Sequence, residues 1–206
     1  ACPANCATAT CAAALRYAGD CAGATVLVQG AGMLGLTIAA MASWAGAAEV
    51  IVCDQQPPRL ETARRFGATQ VALVKEDPQA LARLVAQQTE GRGVDVAFDM
   101  TGDPAALEQG LQLLRIGGRY VWVGAVFPTR PLSISAELIV RKLLNIQGVH
   151  NYTPADLRSA LAFLVQAQGR FPFESLVSQS STLEEAAAVF AQVARSGALR
   201  WAIRPE

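Results

Sequence analysis

Lysine is nearly missing from this sequence of 206 residues. Lys75 and Lys142 are the only lysines among 17 basic residues, and 17 acidic residues balance them to zero formal charge. A chain with no basic excess has little electrostatic pull on nucleic acid or an anionic membrane, so neither is expected as a partner. The scarcity of lysine itself reads as a genomic preference for arginine. Histidine occurs once, at His150, and the five cysteines at 2, 6, 11, 21 and 53 contain no CxxC pair. Their odd number argues against a disulfide framework in an α/β chain of this size, and free thiols are expected. The opening Ala1-Cys-Pro-Ala-Asn5 has no basic region followed by an apolar run, so no signal peptide is read there and a cytoplasmic location is expected. Charge is also absent from Cys21 to Ala48, a stretch long enough to span a bilayer. Glycines at 30, 32, 35 and 46, and a change from β-branched to alanine-rich within it, predict a buried strand and helix instead.

What is present is concentrated in that uncharged stretch. The run Thr25-Val-Leu-Val-Gln-Gly30-Ala-Gly32-Met-Leu-Gly35 leads into alanine-rich residues, and a second apolar run ends at Asp54, nineteen residues after Gly35. Strand, glycine turn, helix and distal acid together form the setting that a dinucleotide-binding fingerprint requires. Gly30 permits the tight turn, Gly32 has no Cβ to keep a pyrophosphate away, and Gly35 lets the helix lie close to the strand. The pyrophosphate is expected on the amides of Met33 and Leu34, where a helix dipole adds roughly 0.3 to 1 kcal/mol of attraction for an anion. Asp54 would accept hydrogen bonds from the adenosine ribose. A 2′-phosphate there would repel it by about 4 kcal/mol at 4 Å and an effective dielectric of 20, so NAD is expected over NADP.

Further apolar runs at 71–74, 94–99, 119–124 and 143–148 alternate with helical stretches. This pattern predicts an α/β fold with a doubly wound, Rossmann-type parallel sheet of six strands in the order 3-2-1-4-5-6, ligand lying between strands one and four. Pro57-Pro58 opens one helix, and Asp77-Pro78 and Asp103-Pro104 read as N-cap and first-turn pairs. Residues 1–22 read as a lead-in with a helix over 7–18, residues 23–150 as the dinucleotide-binding domain, and residues 151–206 as a C-terminal appendage of helices and a strand. In the appendage, helices are expected from Thr153-Pro154 to about Gln168 and over 183–195, with a final strand over 199–204.

The chain resembles the cofactor-binding half of a medium-chain, zinc-type alcohol dehydrogenase. The matching pieces are Cys6-Ala-Thr-Ala-Thr10, Gly30 to Gly35, Asp54 with Arg59-Leu60 and Arg65-Phe-Gly-Ala68, Asp99-Met-Thr-Gly102, Gly117-Gly118 to Val123-Gly124, and Ser196-Gly-Ala-Leu-Arg200. The alanine- and threonine-rich opening also resembles a subgroup of alcohol dehydrogenases associated with phosphonate catabolism. The resemblance implies an NAD-dependent oxidoreductase acting on a small alcohol or aldehyde, with NAD and, in the complete enzyme, zinc as cofactors. It places the third protein ligand of the catalytic zinc at Cys6 and a nicotinamide-facing threonine at Thr10. It puts Arg59 at the ribose or its phosphate, Arg200 at the pyrophosphate, and Thr101, Gly124 and Ala125 beside the carboxamide of the nicotinamide. Each arginine is equally open to a surface ion pair, and Gly124 to a plain strand-end turn.

The family's other two zinc ligands and its four-cysteine lobe have no counterpart here. The sequence therefore reads as part of a longer dehydrogenase that binds cofactor without turning substrate over alone, and Cys6 reads first as an inert, partly buried thiol. His150 reads as an exposed loop residue before a general base, and Asp95 and Asp99, roughly 13 Å apart along a strand, are not a carboxylate pair. The rivals are a zinc-free quinone or enone reductase, a non-enzymatic NAD-sensing module and a methyltransferase. Cys6 argues against the first of these, and Asp99-Met-Thr-Gly102 with Val123-Gly124 against the last. Two structural expectations complete the reading. One or more of Phe171, Phe173, Phe190 and Trp201 should be exposed, and the sixth strand should be a free edge through which a homodimer pairs.

Overall fold

The computed structural model describes residues 4–77, 79–196 and 198–204; Cys2, Pro78 and Gly197 lie outside them. The chain separates into two compact units, Ala1–Gln168 and Gly169–Glu206.

The first unit is built on six parallel strands, β1 (Thr25–Gln29), β2 (Glu49–Asp54), β3 (Gln70–Leu73), β4 (Val94–Asp99), β5 (Leu114–Trp122) and β6 (Asn145–Gly148). Their order is β3-β2-β1-β4-β5-β6, as the alternation of apolar runs and helices predicts. Every residue of β1 and β4 is buried, as expected of central strands covered on both faces of the sheet. The uncharged stretch from Cys21 is β1 followed by α2 (Met33–Trp44). No helix among the described residues is long and apolar enough to cross a membrane.

The connecting helices are α3 (Pro57–Arg65), α4 (Ala80–Gln88), α5 (Pro104–Leu113) and α6 (Ala136–Arg141). Proline stands in the first turn of α3 and of α5, and Asp103 caps α5 by accepting the Ala105 amide at 2.8 Å. Asp77 does not do the same for α4. Its carboxylate takes the Gln79 amide at 3.0 Å, Gln79 occupies the cap, and the helix starts at Ala80. Leu27, Ile51, Ala97, Leu107, Leu111 and Tyr120 form the middle of the core on one face of the sheet.

The lead-in is a π-helical turn, Ala4–Thr8, continued by α1 (Ala9–Ala18). Both belong to the first unit, as does α7 (Pro154–Gln166). Small residues let α1 lie close against α2 and α7. Arg16 on α1 then grips Asp156 on α7 through two hydrogen bonds of 2.8 and 3.0 Å, and Asp156 also closes a capping box with Thr153.

Three sequence expectations need correction. β5 begins at Leu114 rather than Arg119, because the chain pairs with Val94 before a register shift and passes Gly117 at φ +72°. β6 begins at Asn145 rather than Leu143, because Leu143, at φ +52°, takes the chain out of the unanticipated α6. In the second unit the segment after a 3-10 turn (Phe173–Leu176) is β7 (Val177–Thr182), a strand the sequence reading missed. It pairs in parallel with β8 (Arg200–Arg204), and α8 (Ala186–Ser196) connects the two. Phe190 is 82% exposed, as expected of one or more of the four aromatics, whereas Phe171 is buried and meets Phe173 edge-on at 6.3 Å.

Two buried carboxylates are held in their charged form by arginine partners. Burial opposes ionisation of Asp95, but hydrogen bonds from Arg92, Arg115 and the Thr25 amide outweigh it and hold the carboxyl well below the usual range. The Arg16 hydrogen bond does the same for Asp156. A depressed folded-state pKa stabilises the protein fully above the unfolded value, about 4, and that contribution is lost as pH falls from there towards the folded value. Urea midpoints are therefore expected to drop progressively below about pH 4. An Asp156→Asn variant should show a shallower drop, and an unchanged profile in that variant would show that the Arg16 pair contributes nothing to it.

Candidate functional site

Strand order reverses between β1 and β4, and the carboxyl ends of these strands open onto a cavity of about 350 Å³. Its wall on the β1 side is the glycine turn. Gly30 stands at φ +94° and donates to the Cys53 carbonyl at 2.8 Å, and a Cβ there would lie 2.8 Å from the Thr101 side chain. A Cβ on Gly35 would collide with the Gly30 carbonyl, whereas one on Gly32 would point into open space. Gly32 is also the N-cap of α2, and no side chain caps that terminus. The first-turn amides at Met33 and Leu34 are thus donors awaiting an acceptor.

Asp54 closes the far side. It is buried, and its two oxygens accept the Ala31 amide at 2.7 Å and the Gln56 amide at 2.9 Å, which fixes the carboxylate plane. Each oxygen keeps a lone pair for another donor. Arg59 on α3 brings Nη1 to 3.9 Å from Asp54 in the same cavity, and its buried Nε has no hydrogen-bond partner. An orphaned donor beside an oriented carboxylate and an uncapped helix fits a ligand with several polar oxygens, as the adenosine diphosphate part of NAD has.

The remaining residues singled out from the sequence are distributed around this centre. Thr101 lines the cavity with Asp54, and its amide and hydroxyl donate to Asp99 at 2.9 and 2.6 Å. Gly102, at φ +70°, and Gly124 meet backbone to backbone, so neither has room for a side chain. Ala125 lines a second cleft of about 380 Å³ beyond β5 and β6, together with Trp122, Val126, Val149 and the exposed His150. Thr10 is buried on α1, and the adjacent Cys11 thiol donates to the Leu34 carbonyl at 3.3 Å, bringing α1 alongside the start of α2. Arg200 stands at the first residue of β8 in the second unit.

Asp95 and Asp99 do separate structural work. Asp95 binds two arginines and the Thr25 amide, and Asp99 accepts from residues 101 and 102. Cys6 is exposed rather than partly buried, because the π-helical turn faces it outward. Burial pushes the Cys53 thiol up to about 12 and Cys11 higher still, so neither offers a thiolate near neutral pH. Among the described residues no three His, Cys, Asp or Glu side chains gather closely enough to hold a metal.

Gln29, Gln56, Ala106 and Gln109 also line the cavity, although no motif in the sequence points to them. For Gln29 a signal existed: it is a polar residue at the end of an otherwise apolar strand, directly before the first glycine.

This geometry agrees with the comparisons to known proteins. The profile of the zinc-binding dehydrogenases matches residues 34–166. The chain belongs to that family. Among sequence relatives, 5-exo-hydroxycamphor dehydrogenase of Pseudomonas putida is 32% identical over 178 residues, 85% of this chain and 48% of that one. L-threonine 3-dehydrogenase of Bacillus subtilis is 39% identical over 130 residues, 62% of this chain and 36% of its own. An alcohol dehydrogenase structure from Thermotoga maritima superposes with a TM-score of 0.88 at 30% identity, covering 97% of this chain and 55% of the other. This zinc-binding dehydrogenase chain therefore spans about half the length of such relatives.

Proposed function

We propose that these residues are the NAD-binding part of a zinc-type alcohol dehydrogenase and orient the nicotinamide for hydride exchange with a small alcohol or aldehyde. The observation that carries this reading is the cavity at the strand switch, which joins an uncapped helix N-terminus to the oriented carboxylate of Asp54. When bound, NAD supplies the hydride acceptor. The chain's own part is to hold it. Gly32, Met33 and Leu34 receive the pyrophosphate, with Gly30 and Gly35 shaping the turn. Asp54 and Arg59 take the ribose, and Thr10, Thr101, Gly124 and Ala125 flank the nicotinamide.

Zinc belongs to the complete enzyme. The described residues offer it Cys6 without two companions, so no step through the metal is derived from this chain. On the same reading residues 23–150 are the dinucleotide domain, and residues 1–22 and 151–206 are the parts that face a catalytic domain. Free thiols at Cys6, Cys11, Cys21 and Cys53 support a cytoplasmic setting.

The test is a calorimetric titration with NAD and NADP, in which NAD is expected to bind more tightly; equal affinities would remove the NAD assignment. β6 is a sheet edge and supports a homodimer paired through it. Light scattering at micromolar concentration is expected to give twice the chain mass, and a monomer would contradict it.

A further inference from the structure

The glycine turn is supported by a buried polar chain that starts two strands away. Tyr120 on β5 is fully buried, and its register partner on β4 is the small Ala97, so the ring can extend over β4 towards β1. Its hydroxyl donates to Gln29 Oε1, and Gln29 Nε2 in turn donates to the Ala106 carbonyl on α5 at 2.7 Å. The Tyr120 oxygen itself lies 3.4 Å from the Ala106 carbonyl. On α5 a Cβ at Gly110 would collide with both the tyrosine hydroxyl and the Gln29 amide, so the helix face is cut to fit this pair. With one partner fixed on each side, the amide has one satisfied orientation.

Gln29 and Ala106 both belong to the wall of the cavity that holds Asp54 and Arg59. Gln29 is also the residue before Gly30, and its carbonyl accepts the Met100 amide at 2.9 Å, which ties the ends of β1 and β4 together. We infer that Tyr120 is a positioning residue for the cofactor: its hydroxyl fixes the Gln29 amide, and through it the wall against which the adenosine half of NAD rests. This inference depends on the NAD reading above. Tyr120 touches neither cofactor nor substrate; it acts through Gln29.

The alternative is a core hydrogen bond that stabilises the fold and nothing else. The two are separated by measuring melting temperature and the Kd for ADP-ribose in Tyr120→Phe, Gln29→Met and the double variant. Loss of one well-placed hydrogen bond supporting the wall corresponds to an increase in Kd of about fivefold. Each single variant is expected to show it, and the double variant is expected to be no worse than the poorer single, because both act on one element. A lowered melting temperature with unchanged Kd in Tyr120→Phe would overturn the inference, and so would additive increases in the double variant. Failure of the unaltered chain to bind ADP-ribose would overturn the NAD reading itself, and the inference with it.

Discussion

Replacing Asp54 with alanine is expected to weaken NAD binding about a hundredfold while NADP loses far less, so that the preference between them disappears. The carboxylate is buried and already oriented by the Ala31 and Gln56 amides, so it meets the ribose without reorganising. Two hydrogen bonds to a charged acceptor contribute about 1.5 to 3 kcal/mol each, so their joint loss of about 3 kcal/mol or more corresponds to at least about a hundredfold. NADP behaves differently because the variant also removes the repulsion between Asp54 and a 2′-phosphate. Calorimetry on both nucleotides measures the two arms. A variant that keeps its preference for NAD would show that some other group reads the ribose.

The second large effect separates two glycines that the motif treats alike. Gly35→Ala places a methyl group against the Gly30 carbonyl, with the carbonyl carbon only 2.8 Å away, in a contact that only backbone movement can relieve. Such overpacking is expected to cost about 3 kcal/mol in urea unfolding and to distort the turn enough to abolish NAD binding. Gly32→Ala meets nothing within 4 Å, so stability should stay within about 0.5 kcal/mol. Its methyl group instead occupies the space proposed for the pyrophosphate, and NAD binding should fall sharply. Equal stability losses in the two variants would contradict this division of roles.

These contrasts show what was legible in the sequence. The glycine turn and Asp54 could be read because every requirement is local: an apolar strand, a residue at positive φ, a helix start and an acid at the end of the next strand. The sheet order followed from alternation along the chain. Asp103-Pro104 was legible as a cap and Asp77-Pro78 misleading, because Asp77 spends its carboxylate on the turn before α4. β6 was misplaced because the left-handed Leu143 carries no glycine or asparagine signal. β7 escaped because Ser178-Gln-Ser-Ser-Thr182 has no apolar alternation and depends on pairing with β8. The cavity wall escaped for a more general reason. Gln29 and Tyr120 are 91 residues apart, and nothing near either one announces the other.

The measurement that tests the account most directly is titration of the isotopically labelled chain with NAD, followed by amide resonances. The account predicts that Gly32, Met33 and Leu34 shift most, with Ala31 and Gln56 following as Asp54 engages the ribose. Binding that leaves these amides unmoved would contradict it.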